Sequence, residues 1–372
     1  MGRSEVKRIA LLTCGRSDYS IYRPLIELLF KSKKFNLDII ALGTHVSRQF
    51  GYTLDQIKAD GFSIKYTVES LVLGDSPEAI SSAMGLTTIK TSSIWAKENY
   101  DLLICLGDRY EMYAAVLSSI PFNIPVAHIS GGETTTGAID NIFRHSLSLT
   151  AKYHFTSTEK YKNKVSEIIG SKSNVYNVGA LSIDNLKKLK LYSIEEFKKK
   201  FNIGLKQPSI LITFHPETVS HTKNSIYINE LIKALNQCAN YQLVITMPNS
   251  DTQGDLIREK LNNFIAKNKN AIGVESFGTI GYLSCMKHCS FLLGNTSSGF
   301  VEASFFPKHV INLGDRQNGR IITSNILNCE IKEEKILSAI KVIEKRKTLP
   351  KISIYGNGNT AQKIVSILEK CL

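Results

Sequence analysis

DLLICLGDRYEMYAAVLSSIPFNIPVAHIS, residues 101–130, decides the fold. Residues 101–107 form an apolar run without polar alternation, the pattern of a strand buried on both faces. DRYEMYAAVLSSI, 108–120, reads as a helix, and IPVAHIS, 124–130, as the next buried strand. Strands separated by a helix favour a right-handed βαβ unit and a parallel sheet. The same alternation extends towards the N-terminus. KRIALLT (7–13) is a strand, CGRSDYS (14–20) a polar turn, IYRPLIELLFKS (21–32) a helix and LDIIALG (37–43) a strand. Residues 75–99 read as helical, with Gly85 and a Thr-rich stretch working against that. On the other side come a loop, GGETTTGAID (131–140), a helix, NIFRHSLSLTA (141–151), and a strand, KYHFTST (152–158).

The second half repeats the plan. SILITFH (209–215) and YQLVITMP (241–248) are strands, followed by helices SIYINELIKALNQC (225–238) and TQGDLIREKLNNFIAK (252–267). AIGVESF, CSFLLG and HVINLG are further short apolar runs, and TAQKIVSILEKCL (360–372) is a closing amphipathic helix. The Lys-rich stretch from Lys187 to Pro208 suits a connection between domains. The sequence therefore predicts an α/β protein with two Rossmann-like domains. Residues 1–180 form the first and 181–356 the second.

Composition narrows the function classes. The chain has 372 residues, 43% of them hydrophobic and 21% charged, an ordinary globular balance that makes disorder no default. No apolar run reaches the roughly 18 residues of a membrane span. The N-terminal apolar run, Ile9 to Thr13, is too short for a signal-peptide core, so a cytoplasmic location is expected. The seven cysteines are scattered, without CxxC spacing. Cys285, His288 and Cys289 sit close together, but YLSCMKHCSFLLG reads as a helix entering a buried strand, with inert thiols. No metal site is expected. The formal charge of +13 is spread over KSKK, KKLK, FKKKF and EKRK, as solvated helix faces spread it. No aromatic RNA-binding motif accompanies it, and no nucleic-acid or membrane partner is expected.

In parallel sheets, ligands sit beyond the carboxyl ends of the strands. The unusual polar residues of this chain fall there. After the first strand, Gly15 and Arg16 lead to Ser20: a tight turn, a helix N-terminus and a guanidinium together suit an anion, and a plain turn with a cap is the ordinary alternative. After residue 107 come Asp108 and Arg109, which either enter a cleft or pair with each other. After residue 130 come Glu133 and Asp140, the latter also a candidate cap of the next helix. Three carboxylates on neighbouring loops can divide the roles of base and acid. The second half contributes His215, Asn249 and the run Gly294–Glu302, GNTSSGFVE. Its hydroxyls at a helix start suit a diphosphate, and Glu302 suits ribose hydroxyls. Arg316 adds a cation. No Walker A, HExxH, GxSxG or dinucleotide fingerprint occurs.

These pieces, in this order, resemble the hydrolysing UDP-N-acetylglucosamine 2-epimerases of sialic-acid-type pathways. GRSDYS, LGDRYEM, HISGGE, AIDNIFRHS, HFTSTEKY, HPET, PNSDTQGD, GNTSSGFVEA, INLGDRQNGR and YGNGN carry the resemblance across nearly the whole chain. It implies a GT-B-like fold whose last helix crosses back, so that residues 357–372 complete the first domain. It implies that a UDP-linked sugar lies in a cleft lined by both domains. Arg16, Ser20 and Arg109 then reach it from the first, and His215, Asn249, Thr296, Ser297, Glu302 and Arg316 from the second, with the uracil near the main chain of Phe277. Asp108, Glu133 and Asp140 are the implied acid–base groups. The implied reaction eliminates UDP to a 2-acetamidoglycal, which is then hydrated with inversion at C2, and it requires no metal or nicotinamide cofactor. The motif HISGGETTTG, where non-hydrolysing relatives carry HxEAGLR, favours hydrolysis. A homodimer or homotetramer is implied by the same resemblance. Both UDP-GlcNAc and UDP-N,N′-diacetylbacillosamine fit the motifs, with the former placed first. A GT-B glycosyltransferase, a UDP-sugar sensor and a nucleic-acid binder are the alternatives from other classes.

Overall fold

The computed structural model describes residues 6–74, 76–219, 221–248, 253–346, 349–350 and 352–372. The chain divides into two compact units. One comprises residues 1–133, 140–187 and 354–372, the other residues 134–139 and 188–353.

The first unit contains β1 (Lys7–Thr13), α1 (Arg16–Lys31), β2 (Phe35–Leu42), α2 (Leu54–Ala59), β3 (Ile64–Val68), α3 (Pro77–Trp95), β4 (Leu102–Leu106) and α4 (Tyr110–Leu117). It continues with β5 (Val126–Ile129), α5 (Asp140–Thr150), β6 (Tyr153–Thr156), α6 (Glu159–Ile169), β7 (Val175–Asn177) and α7 (Ser182–Lys188). Its strands form one parallel sheet in the order β3-β2-β1-β4-β5-β6-β7. The side-chain alternation of β1 shows why both faces are covered. Ile9 and Leu11 pack with Tyr22, Leu25 and Leu29 of α1. Ala10 and Leu12 pack on the opposite face with Trp95 of α3, Met112 of α4 and Leu147 of α5.

The second unit contains α8 (Ile194–Phe201), β8 (Ser209–Thr213), α9 (Asn224–Asn236), β9 (Gln242–Thr246), α10 (Gly254–Lys267), β10 (Ala271–Val274) and α11 (Gly278–His288). Then follow β11 (Phe291–Gly294), α12 (Glu302–Phe305), β12 (Val310–Leu313), β13 (Ile326–Cys329) and α13 (Glu333–Glu344). The sheet order is β10-β9-β8-β11-β12-β13, again all parallel. Ile210, Ile212 and Phe214 pack with α9, α10 and α13.

The last helix, α14 (Thr360–Cys371), belongs to the first unit, as the family resemblance implies. Ala361, Ile364, Val365 and Leu368 enter the α1 side of its core. The buried carboxylate of Asp184 caps it from a distance, accepting the N–H groups of Thr360 (2.9 Å) and Ala361 (2.8 Å). Both α/β sheets of the expected fold are thus present.

Local differences have local causes. The polar turn read at residues 14–20 is largely the first turn of α1, which begins at Arg16 and carries Asp18 where a helix favours an acid. The Lys-rich connection contains α8, opened by a capping box between Ser193 and Glu196 and anchored by the buried Phe197. The run opening at Ser297 is a 3₁₀ turn followed by the four-residue α12, so Glu302 starts that short helix.

Candidate active site

In each sheet the strand order reverses once near the middle, and the loops beyond that point form the ligand-binding crevice of a doubly wound fold. In the first unit the reversal lies at β1 and β4. Beyond β1 comes Arg16, in the first turn of α1 with Ser20 a turn later. Beyond β4 come Asp108 and Arg109.

Asp108 and Arg109 each meet another partner. The guanidinium of Arg144 takes Asp108 through Nη2, donates to the carbonyl of Ser130 through Nη1 (2.9 Å), and stands 3.9 Å from Glu133. Glu133 also accepts from the hydroxyl of Ser157 (3.0 Å). Arg144 is 3% exposed, so two of the three candidate carboxylates gather on one sealed cation. Asp140, the first residue of α5, lies one turn before Arg144. The Nε2–H of the buried His128 donates to the carbonyl of Gly107 (2.8 Å), which fixes the backbone just before Asp108. Burial pushes this imidazole down to about 3, so it stays neutral.

Arg109 meets Glu111 instead, Nε to Oε2 at 3.1 Å and Nη2 to Oε1 at 2.8 Å. Asp18 lies in the same crevice, buried, accepting the N–H of Cys14 (3.0 Å). Burial raises its carboxyl to about 6 against the opposing pull of Arg109, with Glu111 and Asp108 adding to the rise. The buried His45 contacts the hydroxyls of Thr13 (2.9 Å) and Thr53 (2.7 Å), and burial, aided by Arg109, lowers it to about 3.

In the second unit the reversal lies at β8 and β11. The side-chain amide of the buried Asn295 clasps the backbone of His215. Its Oδ1 accepts the N–H (2.7 Å) and its Nδ2 donates to the carbonyl (2.8 Å). Gln317 and Arg316 both donate to the carbonyl of Asn295, at 2.8 and 3.5 Å. His215 and Arg316 are thereby brought to one residue. Thr296 reaches Ser298 (3.2 Å), which also meets the hydroxyl of Tyr282 (2.6 Å), while Ser297 is exposed. Glu217 accepts the N–H of Asp315 (2.8 Å), which holds the Arg316 loop from below. Phe277 is buried against Phe197 and Phe201, with ring centroids 5.3 and 5.0 Å away. Its ring is thus committed to packing. Asn249 lies outside the described residues.

Residues 134–139 pack against the loops that follow β8 and β12. The N–H of Thr136 donates to the carbonyl of Asn318 (2.9 Å), and that of Ile139 to the hydroxyl of Thr218 (2.9 Å). A methyl group on Gly137 would sit 2.5 Å from the carbonyl oxygen of Asp315 and 2.6 Å from Cα of Arg316. Only glycine lets these backbones meet.

Sequence reasoning did not single out Asp18, Glu111, Arg144 or Asn295 as site residues. All four lie within the motifs quoted above, and Arg144 falls one helical turn after Asp140. Among the described residues no group of three or more His, Cys, Asp or Glu is placed to hold a metal ion. Cys285 and Cys289 are buried in α11 and just before β11, and burial raises both thiols.

Two doubly wound units, one with Asp108 and Glu133 gathered on Arg144 and the other with Asn295 joining His215 and Arg316, define an α/β protein with a candidate crevice in each unit. Comparison with known proteins places it more narrowly. The profile of the family described as UDP-N-acetylglucosamine 2-epimerase matches residues 28–369, and the chain belongs to that family. It is 33% identical to the GDP/UDP-N,N′-diacetylbacillosamine 2-epimerase (hydrolyzing) of Campylobacter jejuni, over 88% of this chain and 85% of that one. It is 30% identical to the polysialic acid biosynthesis protein P7 of Escherichia coli, over 95% and 90% respectively. Its fold matches the crystal structure of UDP-GlcNAc 2-epimerase from Neisseria meningitidis bound to UDP-GlcNAc with a TM-score of 0.82, at 19% identity, over 98% of this chain and 100% of that chain.

Proposed function

We propose that the protein is a hydrolysing UDP-N-acetylglucosamine 2-epimerase serving nonulosonic acid synthesis. The observation that carries this reading is the division of labour between the two crevices. Acids Asp108 and Glu133 gather on Arg144 in the first unit, and His215, Arg316 and the hydroxyl run gather in the second.

In this reading, His215, Asn249, Thr296, Ser297, Glu302 and Arg316 hold UDP, with the base near the main chain of Phe277. Arg16, Ser20 and Arg109 complete the diphosphate contacts. One of Asp108, Glu133 and Asp140 removes the proton from C2 as the C1–O bond breaks and UDP departs. Cationic groups and N–H donors stabilise the charge that develops on the leaving diphosphate. The 2-acetamidoglycal then takes hydroxide at C1 and a proton at C2 from the opposite face. UDP and the free manno-configured sugar are the products. Each acid–base group contributes about 10²–10⁴-fold.

A second reading exchanges the sugar for UDP-N,N′-diacetylbacillosamine, and the name of the Campylobacter jejuni relative favours it. The same reading places the chain in the cytoplasm. It works as a homodimer or homotetramer, for which exposed Leu86, Ile89, Ile142 and Leu149 of α3 and α5 supply apolar surface.

The test is to offer each UDP-sugar alone in deuterated water and identify the free sugar by NMR. UDP release with deuterium at C2 is expected for one or both. Intact UDP-sugar without exchange at C2, for both substrates, refutes the reading and returns the glycosyltransferase alternative.

A further inference from the structure

Arg109 and Glu111 are two residues apart, a spacing that keeps side chains on different faces of a helix. They meet because Arg109 is not helical. It is the N-cap of α4, with φ −67° and ψ 145°, and its extended backbone swings the side chain back over the first turn. There both carboxylate oxygens of Glu111 engage one edge of the guanidinium.

The pair is asymmetric. The Glu111 side chain is 1% exposed and that of Arg109 13% exposed, so the acid is sealed beneath a cation that reaches the crevice. The socket is tight as well. Gly43 has φ +61°, and a methyl group there would sit 3.0 Å from Oε1 of Glu111 and 2.7 Å from the carbonyl oxygen of Cys14.

A buried ion pair adds little stability over an apolar pair of the same volume. The pair acts instead on the arginine. Of the acids around Arg109, Arg144 takes Asp108 and Cys14 donates to Asp18, whereas Glu111 has the paired edge of the guanidinium.

We propose that Glu111 is a positioning residue for the reaction: it fixes the plane of the Arg109 guanidinium and offsets its charge, so that the arginine assists diphosphate departure yet lets the product UDP go. The inference rests on the reading above of Arg109 as a diphosphate contact. A fixed guanidinium acts where charge develops in the transition state. An arginine with its charge uncompensated would grip the anionic product more tightly and hold it in poorer geometry.

The test is a double-mutant cycle on the full chain with Arg109→Met, Glu111→Gln and both. It is read as kcat on whichever UDP-sugar is turned over and as the inhibition constant of UDP. Glu111→Gln alone is expected to lower kcat about tenfold or more while UDP binds at least as tightly, a split that loss of structure does not produce. In the Arg109→Met background the same substitution is expected to change either quantity by no more than about twofold, because the residue it acts through is gone. Equal losses in both backgrounds, or a joint loss of kcat and UDP affinity, overturn the proposal.

If Arg109→Met alone leaves kcat and UDP affinity unchanged, the reading of Arg109 fails and the inference falls with it. Should Glu111→Gln not fold, Glu111→Asp keeps the charge and withdraws the carboxylate by one methylene. It is then expected to lower kcat without weakening UDP, and a wild-type kcat overturns the proposal.

Discussion

Asp18→Asn tests the electrostatics of the first crevice through stability rather than turnover. The wild-type carboxyl is raised from 3.8 to about 6, chiefly by burial, with Arg109 and the N–H of Cys14 pulling down and Glu111 and Asp108 pushing up. Its folded-state pKa thus lies above the unfolded one. The stabilisation that comes with the proton is fully present below 3.8 and is lost as pH rises through about 6. At about 1.4 kcal/mol per pH unit, a displacement from 3.8 to about 6 corresponds to ~3 kcal/mol held against the folded state at neutral pH. Asparagine is nearly isosteric, can still accept from Cys14, and never ionises. Urea denaturation of both proteins, repeated from about pH 4.5 to 8, measures the difference. Asp18→Asn should gain on the wild type as pH rises through 6 and lead by ~3 kcal/mol above it. A difference that stays flat across that range refutes the argument that burial outweighs Arg109.

Two further outcomes follow from the packing. Arg144→Met leaves Asp108 and Glu133 without their shared cation and should cost about 3 kcal/mol or more in urea denaturation; adding Asp108→Asn should recover part of that, and no recovery would show the cost to be packing alone. Gly137→Ala drives a methyl group into the Asp315–Arg316 backbone and should cost roughly 1–3 kcal/mol, with weaker UDP binding by calorimetry; unchanged stability and affinity would contradict the close approach.

How much was legible follows from what each residue's neighbours contribute. Central strands such as β1, β4, β8 and β11 are continuous apolar runs because helices cover both faces of their sheets. The edge strands β3, β7 and β13 are only three to five residues long and partly exposed, with burial patterns such as that of Ile64–Val68, and they leave no such run. The loops beyond the central strands announced the polar residues of both crevices. Their partners were not readable. The joining of Asp108 to Arg144 spans 36 residues and needs β4 and α5 in register. The meeting of Arg109 with Glu111 depends on one non-helical residue. The clasp of His215 by Asn295 spans 80 residues and exists only because β8 and β11 are neighbours. The burial that shifts Asp18 is likewise a property of the packed crevice.

The first unit is assembled from three stretches of chain and the second from two, so the backbone passes from one to the other four times. Two of those passages flank residues 134–139. A shuffled gene that took the second half of a relative from residue 188 onward would therefore import a second unit whose 134–139 segment had evolved in another lineage. Glu133 and Asp140 sit at the ends of that six-residue excursion. Recombination at the obvious linker thus disturbs the acid-bearing loop even when every acid is retained. Exchange of sugar specificity among such proteins is expected to require the excursion and the second half to travel together.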